Sequence, residues 1–246
     1  SMDHMVDRIP PTALSLVAPG SHCPGCGHRI RAIENLPLVS YCFLRGRCAG
    51  CGQPISWRYP IIELLGAAGA LACVLVFGPT PQAAAAMIFT WFAIAVAFID
   101  FDHLMIPDVL SISLVWLGLI FNVFGTFAEP GDAIVGAVSG YLVFRAINAI
   151  AARILGREAI GQGDFKLFAA IGAWLGWQAL APALLIASAT GAAIGYALVW
   201  TGKTRGGEPI CFAPFLMFGA LAVMLFDGRL VLWLGGLGGL GGLLAL

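Results

Sequence analysis

The sequence predicts an all-α polytopic membrane protein of about seven to eight transmembrane helices, with a small N-terminal cytoplasmic domain of zinc-ribbon type. Three observations predict it. First, the 246 residues are 60% hydrophobic and only 11% charged, with mean hydropathy +0.92, whereas soluble domains carry about 25% charged residues. Second, apolar stretches near span length follow one another from residue 61 onward, with very short breaks. Third, the first 60 residues are polar and hold two C-x-x-C pairs. The formal net charge is zero and no basic patch carries interleaved aromatics, so nothing points to nucleic acid.

Residues 1–60 hold Arg8, Arg29, Arg31, Arg45, Arg47 and Arg58 but no signal-peptide core and no spanning run. The opening SMDHM is set aside from the fold reading. Spans are expected at about 61–78, 84–101, 108–126, 131–153, 165–177, 179–200, 209–226 and 229–246. This divides the chain into a cytoplasmic four-cysteine zinc-binding domain, 1–60, and a transmembrane helical domain, 61–246. The 165–177 run is shorter than the roughly 20 residues a full crossing needs. It reads as a short, tilted or buried helix, and Trp174 and Trp177 at its far end suit a membrane interface. Gly236, Gly238 and Gly241 formally match G-x-G-x-x-G, but no strand precedes them; close helix packing through glycine is the reading.

Charge bias orients the chain. With residues 1–60 inside and the spans alternating, Arg153, Arg157, Lys166, Lys203 and Arg205 fall in inner loops. The outer breaks near 79–83, 127–130 and 178 carry no Lys or Arg, and only Arg229 falls outside. Arg145 lies within a span, toward its inner half. The asymmetry follows the positive-inside rule. It puts Asp100, Asp102, His103, Asp108, Glu158 and Asp164 at the cytoplasmic face.

The cysteines come as CPGC, 21 intervening residues, then CAGC, each followed by glycine. Thiolates at this spacing on tight turns converge on one ion, so Cys23, Cys26, Cys48 and Cys51 are expected to hold a structural Zn2+. Two disulfides or free thiols are the alternatives, and a cytoplasmic domain disfavours disulfides. Four protein ligands leave no open position, so the ion would fold a domain too small for its own core. His22 and His28 flank the first knuckle and read as solvated residues. Cys42 is a candidate spare ligand, and Cys73 and Cys211 read as small apolar residues of spans.

Two acids stand where a membrane chain needs a reason to carry them. Asp100 ends the apolar run Ala84 to Ile99, and Asp164 opens the run Phe165 to Trp177. On a helix, Asp100 and His103 share a face while Asp102 points away. Asp108, after Pro107, reads as an N-cap or first-turn acid. Asp164 follows Gly161-Gln162-Gly163, where the glycines permit a tight turn and close approach by another segment. Lys166 is expected to snorkel to the interface rather than neutralise a nearby acid. Two carboxylates at one depth in a water-poor site can share a proton, as aspartyl peptide hydrolysis requires. Two other readings stay open on the residues alone. One is a proton or cation relay, which calls for acids nearer mid-span and internal repeats; the other is a membrane-anchored zinc scaffold in which the acids are caps.

The blocks FIDFDHLMIPD at 98–108 and GQGDFKLFAAIGAWLGW at 161–177, the C-x-x-C pairs before WRYPIIELLGA, and EPICFAPFL near the end together resemble the type IV prepilin peptidase family, including its type II secretion members. The G-x-G-D motif alone is shared with presenilin-like intramembrane aspartyl proteases; the blocks in this order are far more specific. The resemblance runs from about Val6 through almost the whole chain. It implies an enzyme of the bacterial inner membrane, with active site and cysteine domain facing the cytoplasm. Such an enzyme cuts the basic leader from prepilins or pseudopilins just after a glycine. It then N-methylates the new N-terminus with S-adenosylmethionine. The partners implied are those substrates and membrane lipid. The catalytic aspartates carry over to Asp100 and Asp164, the motif glycines to Gly161 and Gly163, with Lys166 beside them, and the metal ligands to Cys23, Cys26, Cys48 and Cys51. No residue is assigned to the methyl donor. Glu63 matches a family position and reads from the residues as a buried polar group paired with an arginine such as Arg58. The family's chains open with a spanning helix ahead of a segment like VDRIP; here that segment stands at Val6 to Pro10 without one, which bears on methylation more than on cleavage.

Overall fold

The computed structural model describes residues 22, 23, 25–36, 38–156, 161–202 and 211–226. Among them the chain is helical, with only two isolated β-bridges, His22 with Arg29 and Arg47 with Pro54. A 3-10 turn, Ala32–Asn35, precedes α1 (Val39–Phe43). Then come α2 (Arg58–Phe77), α3 (Pro81–His103), α4 (Asp108–Val123), α5 (Pro130–Leu155), α6 (Gln162–Leu175), α7 (Leu180–Trp200) and α8 (Ala213–Phe226). The chain divides into two compact units, Ser1–Ala67 and Ala68–Leu246.

Local chemistry sets the helix ends. Thr80 caps α3, its hydroxyl accepting the Ala83 N–H at 3.3 Å, and Pro81 follows at the first helical position. The same helix stops at Leu104, which turns left-handed (φ 52°) and returns its N–H to the Asp100 carbonyl at 2.9 Å. Pro130 opens α5, and Gly156 ends it with φ 68°, a conformation that costs glycine nothing.

Four helical segments are long and apolar enough to cross a membrane: Arg58–Phe77, Pro81–His103, Pro130–Ile154 and Trp177–Trp200. Asp108–Val123 and Ala213–Phe226 are shorter apolar helices. Each expected span from 61–78 to 209–226 falls on one of α2 to α8, while 229–246, with its glycine run, lies outside the described residues. So do VDRIP, Arg157, Glu158, Lys203 and Arg205.

The second unit is organised around its shortest expected span. In α6, Phe165 and every residue from Leu167 to Trp174 are buried, so the helix is wrapped on all sides, and α4 and α5 are its main neighbours. Glycines make that wrapping possible. A Cβ at Gly140 of α5 would stand 2.7 Å from the Phe168 carbonyl oxygen, and Gly136 and Gly172 bring the backbones of α5 and α6 together. Phe144 stacks on Phe168 at 4.3 Å. This corrects the reading of Trp174 as an interfacial residue. It is fully buried against Phe89, Phe121 and Phe127, and its indole N–H donates to the Leu114 carbonyl at 2.7 Å. With that donor satisfied inside the protein, the ring needs no water. Trp177 does remain half exposed.

Asn122 ties off the same end. Its amide nitrogen donates to the carbonyls of Ala173 and Trp174, both at 2.8 Å, and its oxygen accepts the N–H groups of Phe127 and Ala128 at 2.9 and 3.1 Å. A fully buried side chain thus satisfies two carbonyls that the end of α6 leaves orphaned.

Candidate active site and cysteine centre

Three segments of the second unit converge at one point. Asp100 sits in the last turn of α3 and is only 6% exposed. Its Oδ2 accepts the backbone N–H of Ala213, the first residue of α8, at 3.3 Å. Asp164 is the third residue of α6 and is half buried; its N–H donates to the Gly161 carbonyl at 3.1 Å. The Asp100 carboxylate lies within electrostatic range of the Asp164 carboxylate and of the Cys211 thiol. Around 100–108 only Asp100 is buried among the charged residues; Asp102 is exposed, as its position on the opposite helix face requires, while His103, placed on the Asp100 face, is exposed at the helix end, and Asp108 is exposed too.

Of the two motif glycines Gly163 is tightly packed, whereas Gly161 is exposed and a side chain there would meet only ordinary contact. A Cβ at Gly163 would lie 2.8 Å from the Ile106 Cβ, so the loop can approach the α3–α4 connection only without a side chain there. A Cβ at Gly161 would lie 3.4 Å from the Asp164 Oδ2. Lys166 corrects the snorkelling expectation: its ammonium pairs with Asp108 in the first turn of α4 at 2.5 Å. Two residues apart on a helix, Asp164 and Lys166 project to opposite sides, so the pair braces α6 against α4 without entering the acid pair. Ala213, Cys211 and Ile106 were invisible to sequence reasoning as site residues. A backbone N–H and a packing contact leave no mark in residue type, although EPICFAPFL had marked the segment.

In the first unit the four predicted cysteines come together. Cys23 and Cys51, and Cys26 and Cys48, stand 3.9 Å apart sulfur to sulfur, and all four sulfurs lie within 4.8 Å of one another. A tetrahedron with Zn–S of about 2.3 Å has edges near 3.8 Å, so the cluster fits such an ion; these distances are too long for disulfides, and the thiols are free. The N–H groups of Gly25 and Cys26 hold the Cys23 thiol down at about 7, and those of Cys51 and Gly50 lower Cys48. At Cys26 the His28 N–H also pulls downward, but the neighbouring sulfurs of Cys51, Cys23 and Cys48 outweigh it, and the thiol is pushed up to about 12. Four sulfurs this close ionise together only around a cation. Cys42 is exposed and outside the cluster.

The two knuckles are built alike. Gly27 and Gly52 take φ of 70° and 71°, and each returns its N–H to the carbonyl of Cys23 or Cys48 at 2.9 Å. The N–H groups of those cysteines donate to the carbonyls of His28 and Gln53, again at 2.9 Å. Each knuckle then covers the other. His28 lies on Gly50, where a Cβ would be 2.9 Å from its Cβ, and Gln53 lies on Gly25. His28 is therefore no solvated flank, as it was expected to be. Its ring also meets Glu34 at 3.1 Å, and Glu34 in turn accepts the Arg31 N–H at 3.0 Å. The signal was present in the sequence as CPGCGH and CAGCGQ, two six-residue repeats with His28 and Gln53 at equivalent places.

Residues 87–196 match the type IV leader peptidase family, and residues 2–77 match the bacterial peptidase A24 N-terminal domain. The chain is 43% identical over 231 residues to a prepilin leader peptidase/N-methyltransferase of Aeromonas hydrophila, covering 94% of this chain and 79% of that protein. A protein of the same name from Burkholderia pseudomallei is 45% identical over 92% of this chain and 73% of its own length. The corresponding values for the Pseudomonas aeruginosa protein are 43%, 88% and 74%. No solved structure matches significantly. Identity at this level, over nearly the whole chain and across both matched regions, is decisive: this multi-pass membrane protein belongs to the type IV leader peptidase family.

Proposed function

We propose that the chain cuts the basic leader from type IV prepilins or type II secretion pseudopilins after glycine, and N-methylates the new N-terminus. The observation that carries the reading is that Asp100, at the end of one apolar helix, and Asp164, at the start of another, lie near enough for their charges to interact. One carboxylate takes a proton from water, and the water oxygen attacks the scissile carbonyl. The other, protonated, hydrogen-bonds that carbonyl oxygen and then helps protonate the leaving amine. Acids at helix ends rather than mid-span suit a substrate whose apolar helix must unwind at the water interface before a peptide bond is accessible. The same placement weighs against the proton-relay reading.

The charge bias orients this end toward the cytoplasm of a bacterial inner membrane. Residues 1–60 form the cytoplasmic domain and 61–246 the protease domain. Cys23, Cys26, Cys48 and Cys51 hold a structural Zn2+ whose role is to close the two knuckles into one fold. S-adenosylmethionine, when bound, supplies an electrophilic methyl group to the amine that cleavage exposes. The test is incubation with a prepilin in detergent, with and without S-adenosylmethionine, read by intact mass. Wild type gives leader loss and, with the donor, a gain of about 14 Da, the mass of one methylene. Full-rate cleavage by Asp100→Asn or Asp164→Asn would refute the assignment.

A further inference from the structure

One acid and one apolar face of the first unit take no part in this chemistry. Glu63 lies in the second turn of α2, five residues in from Arg58, or about 7.5 Å along a helix long enough to span a bilayer. A carboxylate at that position needs a partner. Its Oε2 accepts the backbone N–H of Leu38 at 2.7 Å, and Leu38 adopts φ 59°, uncommon for a branched side chain, immediately before α1. This bond ties the residue before α1 to the second turn of α2.

α1 itself buries none of its residues. Val39 and Phe43, at i and i+4 on one face, are 49% and 84% exposed. Trp57 and Tyr59, also exposed, bracket the start of α2. The Trp57 ring contacts Tyr41 at 5.3 Å, and exposed Arg45 follows Phe43 by two residues. An apolar tip flanked by Trp, Tyr and Arg at the mouth of a spanning helix has the composition of a membrane–water interface.

We propose that α1 is an interfacial anchor: Val39 and Phe43 enter the bilayer beside α2, at a depth set by the Leu38–Glu63 hydrogen bond, and seat the cysteine-bearing unit on the lipid headgroups. The occupant of the face is lipid, because α2 runs into the bilayer from the same place and a soluble partner would have to enter the headgroup layer to reach Phe43. The inference rests on α2 being a membrane span and is independent of the proposed chemistry.

The experiment places the photoreactive residue p-benzoylphenylalanine at Phe43, and separately at the exposed α2 position Leu64, in the full chain. The protein is reconstituted in nanodiscs of phosphatidylethanolamine and phosphatidylglycerol, irradiated and weighed intact. Lipid adducts at both positions are expected. Lipid at 64 but none at 43 would overturn the proposal, as would a protein–protein cross-link at 43 in place of lipid. In the same assay Glu63→Gln, which keeps an oxygen acceptor, retains the adduct at 43. Glu63→Leu loses most of it while the adduct at 64 persists; an unchanged yield at 43 would remove the depth-setting role.

Discussion

Lys166 on α6 and Asp108 on α4 form a 2.5 Å ion pair, while Asp164, two residues back on the same helix, faces the opposite side toward Asp100. Neighbouring charges on one helix therefore have separable roles. The ion pair is partly exposed and is worth about 0–1 kcal/mol. Lys166→Met should lower the melting temperature in detergent only slightly and leave prepilin cleavage largely intact. Asp164→Asn should do the reverse, abolishing cleavage with the melting temperature held.

Gly163 should be sensitive through Ile106 rather than through chemistry. Gly163→Ala sets a methyl 2.8 Å from the Ile106 Cβ and pushes the Asp164 turn away. A misplacement of about 1 Å can cost on the order of 100-fold in rate. Adding Ile106→Gly, which removes that Cβ, should recover much of that cleavage rate, measured as initial leader loss. Failure of the second change to rescue would indicate another cause.

Asn122 should be the costliest polar residue of the helical core to replace. Asn122→Leu keeps the bulk but leaves the carbonyls of Ala173 and Trp174 and the N–H groups of Phe127 and Ala128 unpaired. A loss on the order of 2–4 kcal/mol is expected, visible as a lowered melting temperature and as poor extraction yield.

The reciprocal knuckles make a compensating pair testable. Gly50→Ala collides with the His28 ring and should weaken metal retention by roughly 10–100-fold, the range seen when groups supporting a ligand are disturbed. The double variant His28→Gly with Gly50→Ala, which removes both the ring and the Cβ at 2.9 Å, should hold metal better than Gly50→Ala alone. Competition with a chromogenic zinc chelator measures both. Removing the metal altogether should unfold the first unit, followed by hydrogen exchange.

Glu34 predicts a pH dependence of known sign. The Arg31 N–H, and next the His28 ring, hold its carboxyl below the ordinary carboxylate range. A depressed acid stabilises the fold above its unfolded value and loses that contribution as pH falls through the lower folded value. The stability gap between wild type and Glu34→Gln should therefore be full near neutrality and close in strongly acidic solution. A gap that widened on acidification would contradict the contact.

Periodicity and composition alone located the apolar helices α2 to α8, though not the short α1, because burying or lipidating an apolar run needs no knowledge of its neighbours. Cysteine spacing named the four clustered sulfurs for the same local reason: two knuckles carry their own turn chemistry. The acids 100 and 164 were legible as anomalies, apolar runs being poor places for carboxylates. Contacts between distant segments could not be read in this way. That α6 is the buried centre, rather than merely short or tilted, follows from glycines on α5 that let two backbones touch, and Trp174 became core through a carbonyl on α4. Lys166 chose Asp108, and Glu63 chose a backbone N–H, because tertiary packing delivered a partner closer than water. His28 and Gln53 acquired a purpose only when one knuckle was laid over the other. Residue type specifies what a side chain can bond to, and the folded backbone decides which of those groups comes within reach.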